Sequence, residues 1–143
     1  MAKIVLSAAG SAGDIFPMVA LASELRARGH APLLATQAEY RDIVEAQGVE
    51  FRALRPSQEE IEKSLGVDTP ELVRLTTHSR NGLEFAVRRI AMPFLVSSYH
   101  DMHEACADAG LVITHTSAFA ARLAAEKHDL PWLSAVLAPF AFM

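Results

Sequence analysis

Short apolar runs alternate with amphipathic stretches along the 143 residues of the chain. The apolar runs are rich in β-branched residues, which is typical of buried strands, and the stretches between them repeat apolar residues at helical spacing. Strands are predicted over residues 3–8, 31–36, 49–54, 111–115 and 132–138. Strands that alternate with helices pair in parallel through right-handed crossovers. The pattern therefore predicts a three-layer α/β domain, a parallel sheet with helices on both faces.

Residues that begin or interrupt helices refine this pattern. Ser57 and Glu60 have the spacing of a capping box, so a helix is predicted to start after Ser57. Asp68 stands before a proline in the order that begins another helix. A long helix is predicted over residues 83–109 with a kink at Pro93, because proline cannot donate a backbone hydrogen bond. Its inward-facing residues are predicted to be Val87, Ile90, Phe94, Met102 and Cys106.

The turn after the first predicted strand is rich in glycine and is followed by an acidic residue. Residues 8–13 read AAGSAG, an A-x-G-x-x-G form of the fingerprint that binds dinucleotides. A dinucleotide site also needs an acidic residue at the end of the second strand, where this chain has Thr36 and Gln37. Asp14 would moreover repel a pyrophosphate at the start of the helix. A nicotinamide cofactor is therefore disfavoured.

Two roles for Asp14 are compatible with its position. Aspartate caps helix N-termini well, and Pro17 suits the first turn of a helix predicted over residues 17–28. A carboxylate at the carboxyl end of a parallel strand can also accept a proton from a bound hydroxyl group. Position alone leaves both roles open.

His115 is a second candidate at the same edge of the predicted sheet. Ligands of parallel sheets bind at the carboxyl ends of strands, near the point where the strand order reverses. Residues 8–16 and 114–118 follow the first and fourth predicted strands, so both loops should reach this edge. His115 is interpreted either as a strand-end histidine bonded to the backbone or as a ligand contact beside Thr116 and Ser117.

Composition argues against several other classes of protein. The net charge of −4 offers no basic surface for nucleic acid or an anionic membrane. The single cysteine, Cys106, cannot form an internal disulfide and is interpreted as a small buried hydrophobic residue. His100 and His103 lack the spacing and the third ligand of a helix-borne metal site, so no metal is expected. The uncharged stretch 130–143 is too short to span a bilayer, and the chain is interpreted as the front of a longer protein.

One part of the sequence resembles a known family. The stretch GSAGDIFPMVALASELRARGHAPLLAT, residues 10–36, is similar to the opening of family-28 glycosyltransferases of the GT-B class. The family pattern is G-[ST]-x-G-D-x-x-P followed by an apolar helix and G-H, and the matching residues here are Gly10, Ser11, Gly13, Asp14, Pro17, Gly29 and His30. Residues 40–51 and 120–139 match further along. Within this family, the chain most resembles bacterial rhamnolipid-type rhamnosyltransferases, which are related to sterol and antibiotic glycosyltransferases.

The resemblance implies the N-terminal half of a GT-B fold, a single Rossmann-like domain over residues 1–143 that binds the acceptor. The C-terminal domain that binds the donor would lie outside this chain. The implied reaction transfers a hexose, with inversion, from a nucleotide sugar to a hydroxyl group of an apolar acceptor such as a lipid, sterol or polyketide. The resemblance implies no cofactor besides the nucleotide-sugar substrate, and no metal.

The resemblance also implies roles for particular residues. The residue that matches Asp14 is the general base that deprotonates the acceptor hydroxyl, and Ser11 lies beside the reacting groups. The candidate substrate-binding residues are Gly10, Ser11, Gly13, Ile15, Phe16 and His115. Ala12 stands where the sterol and antibiotic enzymes commonly have arginine, and Asp129 stands where the late motif usually has glycine.

Further expectations concern the whole protein. We expect this chain alone to be inactive, because one wall of the catalytic cleft is missing, and to associate with a C-terminal donor domain or with itself. The alternative is a non-catalytic acceptor-binding or recruitment subunit of a split GT-B enzyme. The expected location is cytoplasmic, with or without peripheral contact at the inner membrane.

Overall fold

The computed structural model describes residues 1–138, and five strands form its centre. The strands are β1 (Lys3–Ser7), β2 (Ala31–Thr36), β3 (Glu50–Ala53), β4 (Leu111–His115) and β5 (Trp132–Ala135). The helices are α1 (Ala12–Ala27), α2 (Arg41–Ala46), α3 (Gln58–Leu65), α4 (Thr69–Thr76), α5 (Gly82–Phe85), α6 (Leu95–Ala105) and α7 (Phe119–Lys127). The irregular helical segments are a 3₁₀ turn before α2 (Ala38–Tyr40) and a π-helical segment after α5 (Ala86–Ala91). Every predicted strand is present.

The strands pair in parallel in the order β3-β2-β1-β4-β5. The chain moves outward from β1 to β3 and then crosses back to place β4 on the other side of β1. Ser7 at the end of β1 pairs with Thr114 near the end of β4. The strand order therefore reverses between β1 and β4, and the carboxyl ends of these two strands open side by side.

One face of the sheet is covered by α1 and the other by α6 and α7. Alternate residues of a strand point to opposite faces, so neighbouring positions of β1 join different clusters. Leu6 packs in one cluster with Ile15 and Met18 of α1, and Val5 packs in the other with Met102 of α6. The buried residues of α7 are all alanines, namely Ala120, Ala121, Ala124 and Ala125. The predicted three-layer α/β arrangement, Rossmann-like in its topology, is confirmed.

The structure corrects the start of the first helix. α1 begins at Ala12, after the N-cap residue Ser11, rather than at residue 17. Asp14 is the third residue of the helix, and its carboxylate accepts a hydrogen bond from the Ser11 backbone N–H at 2.8 Å. Pro17 lies in the helix interior, where it cannot donate to the carbonyl of Gly13. The prediction was wrong because it started the helix at the proline, whereas the bonding between Ser11 and Asp14 determines the start.

The long helix predicted over residues 83–109 is divided in the structure. α5 passes into the π-helical segment Ala86–Ala91, the helix breaks around Pro93, and α6 follows. Pro93 has no N–H to donate to the preceding turn, and the wider π turn shifts the helical phase before the break. The prediction of which helix residues face the core is therefore correct only within α6 and at the residue that follows it. Met102 and Cys106 are buried, whereas the half-buried residues are Val87, Ile90 and Phe94.

The two helix starts predicted in the segment between β3 and β4 are confirmed. Ser57 Oγ accepts from the Glu60 N–H at 3.2 Å, and the Glu60 carboxylate accepts from the Ser57 N–H at 2.7 Å. At the start of α4, Asp68 accepts from the Glu71 N–H at 3.0 Å. Each bond satisfies a backbone donor that the first turn of a helix leaves free.

The C-terminal stretch departs from its prediction at the last strand. β5 ends at Ala135, three residues before the end predicted at residue 138. Residues 139–143 lie outside the described residues. Across residues 1–138, none of the helices combines the length and the apolar character that crossing a bilayer requires.

Candidate functional site

The loop between β1 and α1 brings the Asp14 carboxylate to the carboxyl edge of the sheet. Gly10 in this loop has a φ of +131°, which residues with a side chain rarely adopt. A Cβ atom at this position would also overlap the Asp14 carboxylate. Glycine at position 10 therefore allows the chain to turn closely over the acidic side chain.

The two oxygens of Asp14 have different surroundings. Oδ2 accepts hydrogen bonds from the Ser11 N–H at 2.8 Å and from the Ser11 hydroxyl at 3.1 Å. Oδ1 lies 3.5 Å from Nε2 of His115, which ends β4. The side chain is 37% exposed. The carboxylate is thus anchored through one oxygen and is still accessible to a bound molecule.

His115 is held in place from its other ring nitrogen. Its side chain is only 7% exposed, and Nδ1 lies 2.7 Å from Ser117 Oγ. The Ser117 hydroxyl donates in turn to the backbone carbonyl of Ala9, at 2.6 Å. The imidazole is therefore bonded to the backbone of the glycine turn through Ser117 rather than directly, and its Nε2 faces Asp14.

Side chains that follow β2 border the same edge. Gln37 Oε1 accepts from a backbone N–H of the glycine turn at 3.1 Å. Phe16 is half exposed and packs edge-on against Tyr40, with 6.5 Å between the ring centroids. Burial raises the pKa of the Tyr40 hydroxyl, and the negative charges of Glu39 and Asp14 raise it further. Tyr40 therefore remains a neutral hydroxyl that can donate and accept hydrogen bonds next to the site.

Two of the predicted site residues, Ile15 and Gly13, contribute no side chain to the site. The side chain of Ile15 is fully buried between α1 and the sheet, so a substrate contact of this residue would involve its backbone alone, and its role in binding stays a prediction. Because the helix begins at Ala12, Ile15 falls on the same face as Met18 and packs into the core. Gly13 is exposed, and a Cβ atom there would meet only Ser11 Oγ at 3.6 Å, an ordinary contact.

Three side chains of the site lay outside the predicted set. Gln37 is the first residue after β2 and Ser117 the second after β4, so a position just beyond a strand end was the available signal. The sequence indicates Ser117 only as a neighbour of His115. Tyr40 reaches the site through the 3₁₀ turn Ala38–Tyr40, at the start of a stretch, residues 38–48, that the sequence predicts as a short helix.

Two other groups of titratable side chains have packing roles. Burial raises the pKa of the Cys106 thiol to about 11, although the positive charge of Lys3 opposes the rise. The thiol is therefore neutral near pH 7 and poorly nucleophilic, in agreement with its interpretation as a buried hydrophobic residue. The imidazole rings of His103 and His128 pack against each other, with 4.4 Å between the ring centroids. Within residues 1–138, no group of three or more His, Cys, Asp or Glu side chains is arranged to hold a metal ion.

The strands are parallel, and the polar site lies where the strand order reverses between β1 and β4. These features define a Rossmann-like α/β domain, of the type that forms the N-terminal half of GT-B glycosyltransferases. Residues 4–141 match the glycosyltransferase family 28 N-terminal domain, and the chain belongs to this family. The resemblance of the opening stretch is thereby confirmed. The narrower similarity to rhamnolipid-type enzymes stays a prediction.

Curated relatives include sterol and antibiotic glycosyltransferases. A sterol 3-beta-glucosyltransferase of Glomerella lagenarium is 32% identical over 145 residues, which cover 96% of this chain and 9% of that protein. An O-mycaminosyltylonolide 6-deoxyallosyltransferase of Streptomyces fradiae is 47% identical over 51 residues, which cover 36% of this chain and 12% of that protein. The aligned residues thus span about a tenth of the length of each of these relatives.

Solved structures share the fold at low sequence identity. The calicheamicin glycosyltransferase superposes with a TM-score of 0.71 at 23% identity, covering 95% of this chain and 32% of that one. The spinosyn rhamnosyltransferase superposes with a TM-score of 0.67 at 17% identity, covering 97% of this chain and 36% of that one. This chain therefore corresponds in fold to about a third of each of these structures.

Proposed function

We propose that this chain is the acceptor-binding N-terminal domain of an inverting glycosyltransferase in which Asp14 is the general base. The observation that carries the proposal is the position of this carboxylate and the way its two oxygens are held. It lies where the strand order reverses, Ser11 anchors its Oδ2, and its Oδ1 is directed toward His115. A fixed and accessible carboxylate at this edge is suited to accept a proton from a bound hydroxyl group.

The proposed reaction moves a hexose from a nucleotide sugar to a hydroxyl group of the acceptor. The acceptor oxygen attacks the anomeric carbon from the face opposite the nucleotide, so the configuration at that carbon inverts. The bond between the carbon and the diphosphate oxygen breaks, and the nucleoside diphosphate leaves with the electron pair. Asp14 takes the hydroxyl proton as the new bond forms. The nucleotide sugar is a substrate here, and neither a cofactor nor a metal takes part in the proton transfer.

The charge of Asp14 supports an acceptor site at this edge rather than a phosphate site. A carboxylate in the first turn of a helix interacts favourably with the helix dipole, but it repels a second anion at the same place. We therefore assign the acceptor hydroxyl to this chain and the nucleotide to a separate C-terminal domain. The greater length of the relatives leaves room for such a domain.

Apolar surface supports an apolar acceptor. Phe16 is 50% exposed at the border of the site, and Leu83 and Val96, in the segment between β3 and β4, are 75% and 69% exposed. Side chains of this kind gain free energy when an apolar molecule covers them. The names of the curated relatives include a sterol and a tylonolide acceptor. We propose a lipid, sterol or polyketide acceptor, reached from the cytoplasm with or without peripheral contact at the inner membrane.

Asp14→Asn in the full-length protein that contains this domain tests the general base. An asparagine amide oxygen can still accept from the Ser11 N–H, so the start of α1 is kept, but the amide cannot take up the hydroxyl proton. We expect the melting temperature to stay nearly unchanged, acceptor binding to persist, and turnover to fall by about 10²–10⁴-fold. Initial rates with nucleotide sugar and acceptor, together with thermal unfolding, provide the measurement.

Asp68→Asn is the matched control, because Asp68 caps α4 by the same kind of bond. This variant should keep both stability and turnover. An Asp14→Asn protein that keeps more than about a tenth of the wild-type rate would restrict Asp14 to a structural role at the start of the helix. The alternative, a non-catalytic acceptor-binding or recruitment subunit of a split enzyme, would be favoured instead if the wild-type protein turned over only after a separate donor-binding chain was added.

A further inference from the structure

The hydroxyl of Ser117 determines where the proton of His115 lies. The Ala9 carbonyl can only accept, so the bond at 2.6 Å uses the single hydroxyl proton of Ser117. The contact at 2.7 Å between Ser117 Oγ and His115 Nδ1 must then be donated by the ring. A neutral imidazole carries one proton, which this arrangement places on Nδ1.

The consequence for Nε2 is that it carries a lone pair. This nitrogen lies 3.5 Å from Oδ1 of Asp14, which is also a hydrogen-bond acceptor. Two acceptors that face each other at this distance repel unless a donor lies between them or the ring is protonated. A hydroxyl group is a donor of the required kind, and it can lie within hydrogen-bond distance of both atoms.

We propose that Ser117 is a positioning residue that holds His115 with its proton on Nδ1. His115 Nε2 and Asp14 Oδ1 then act as two hydrogen-bond acceptors that together bind the hydroxyl group of the substrate to be glycosylated. This inference rests on the proposed function of Asp14 and adds a second proton acceptor to it. As the hydroxyl oxygen attacks the sugar, its O–H bond breaks and the proton passes to the pair. The charge of the pair rises from −1 to zero, and no further reactant is needed.

The tautomer of His115 in this chain tests the proposal directly. Nitrogen–proton correlation spectra of the ¹⁵N-labelled protein, recorded from about pH 5 to about pH 9, distinguish a protonated ring from the two neutral forms. The His115→Gln variant identifies the signals of this ring among the six histidines. We expect the neutral ring to carry its proton on Nδ1. A proton on Nε2 would overturn the proposal, as would a ring that stays doubly protonated up to about pH 9.

Substitutions of Ser117 separate positioning from packing. Ser117→Ala removes the partner of Nδ1, so the ring proton should move to Nε2, where it can donate to the Asp14 carboxylate. Ser117→Thr keeps the hydroxyl, and the exposure of position 117 leaves room for the added methyl group. This variant should keep the wild-type tautomer. If Ser117→Ala left the proton on Nδ1, Ser117 would not be the residue that positions it.

Activity of the full-length protein provides the second readout. Ser117→Ala should lower turnover by about 10–100-fold, because a carboxylate that already accepts from Nε2–H is no longer open to the hydroxyl, and Ser117→Thr should restore the rate. Equal turnover of the two variants would overturn the catalytic consequence. The spectra do not depend on turnover, so a wrong assignment of Asp14 would show as an unaffected Asp14→Asn rate beside the expected tautomer.

Discussion

Gly10 and Asp14 constrain each other at the scale of single residues. The positive φ of Gly10 turns the backbone over the carboxylate, and the space of a Cβ atom at this position is already occupied by Asp14. The carboxylate is held from the other side by Ser11. Position 10 is therefore part of what holds Asp14 in place, although glycine contributes no side chain to the site.

Gly10→Ala should displace the Asp14 carboxylate as well as strain the loop. We expect the free energy of unfolding to fall by about 1–3 kcal/mol, measured by chemical denaturation. Gly29→Ala is the matched control, since Gly29 also has a positive φ but has open space around its Cβ position. It should show strain alone and leave turnover of the full-length protein intact. Equal losses of stability and equal turnover in both variants would contradict a role for the overlap with Asp14.

Contacts between side chain and backbone determine where the elements begin and how they are joined. Asp101 of α6 accepts from the backbone N–H of Arg55 at 2.9 Å and from its guanidinium at 2.8 and 3.0 Å. The hydrogen bonds that Arg55 donates to Asp101, and the negative charge of this carboxylate, raise the pKa of Arg55. This pair joins α6 to the chain after β3, so the segment between β3 and β4 is attached to the sheet at both ends.

The capping box of α3 offers a test at the scale of an element. Ser57→Ala removes the acceptor for the Glu60 N–H, and we expect it to lower the free energy of unfolding by about 1 kcal/mol. Ser64→Ala, at an exposed position later in the same helix, should leave stability unchanged or raise it slightly, because alanine is the better helix former. Urea denaturation of both variants compares them. A Ser57→Ala protein as stable as the wild type would show that α3 is held by packing alone.

At the scale of the whole fold, the candidate site in residues 1–138 is partly open to solvent. The Asp14 carboxylate is exposed at the edge of the sheet where the carboxyl ends of β1 and β4 lie side by side. The described residues 1–138 are built around this one Rossmann-like sheet. Glycosyl transfer requires donor and acceptor to be held in a fixed mutual geometry. In our proposal this chain supplies the acceptor side of that geometry.

We therefore expect the isolated 143-residue chain to bind an acceptor but to transfer no sugar. A coupled assay of nucleoside diphosphate release, with the full-length protein as positive control, measures the transfer. Calorimetric titration with the acceptor checks that the isolated chain still binds. Acceptor-dependent release of nucleoside diphosphate by the isolated chain would contradict the expectation.

Much of the fold could be predicted because the signals that specify it are local. The period of apolar residues depends only on neighbouring positions, so each strand of the sheet was found near its true place. The capping box at Ser57 and Glu60 is likewise complete within four residues of sequence. Local signals failed where two of them competed. Pro17 suggested a helix start that Ser11 and Asp14 place earlier, and Pro93 suggested a simple kink where a π turn intervenes.

The site divides in the same way between sequence and tertiary structure. The sequence by itself determined the strand pattern and the glycine turn, and it singled out Asp14 and His115 as polar residues near strand ends. Only the tertiary structure decided that β1 lies beside β4, which brings Asp14 Oδ1 to 3.5 Å from His115 and lets Ser117 bond to Ala9 across 108 positions of sequence. It also placed Ile15 in the core. The physical reason is that strand order and side-chain burial depend on contacts between distant segments, which no local pattern of residues encodes.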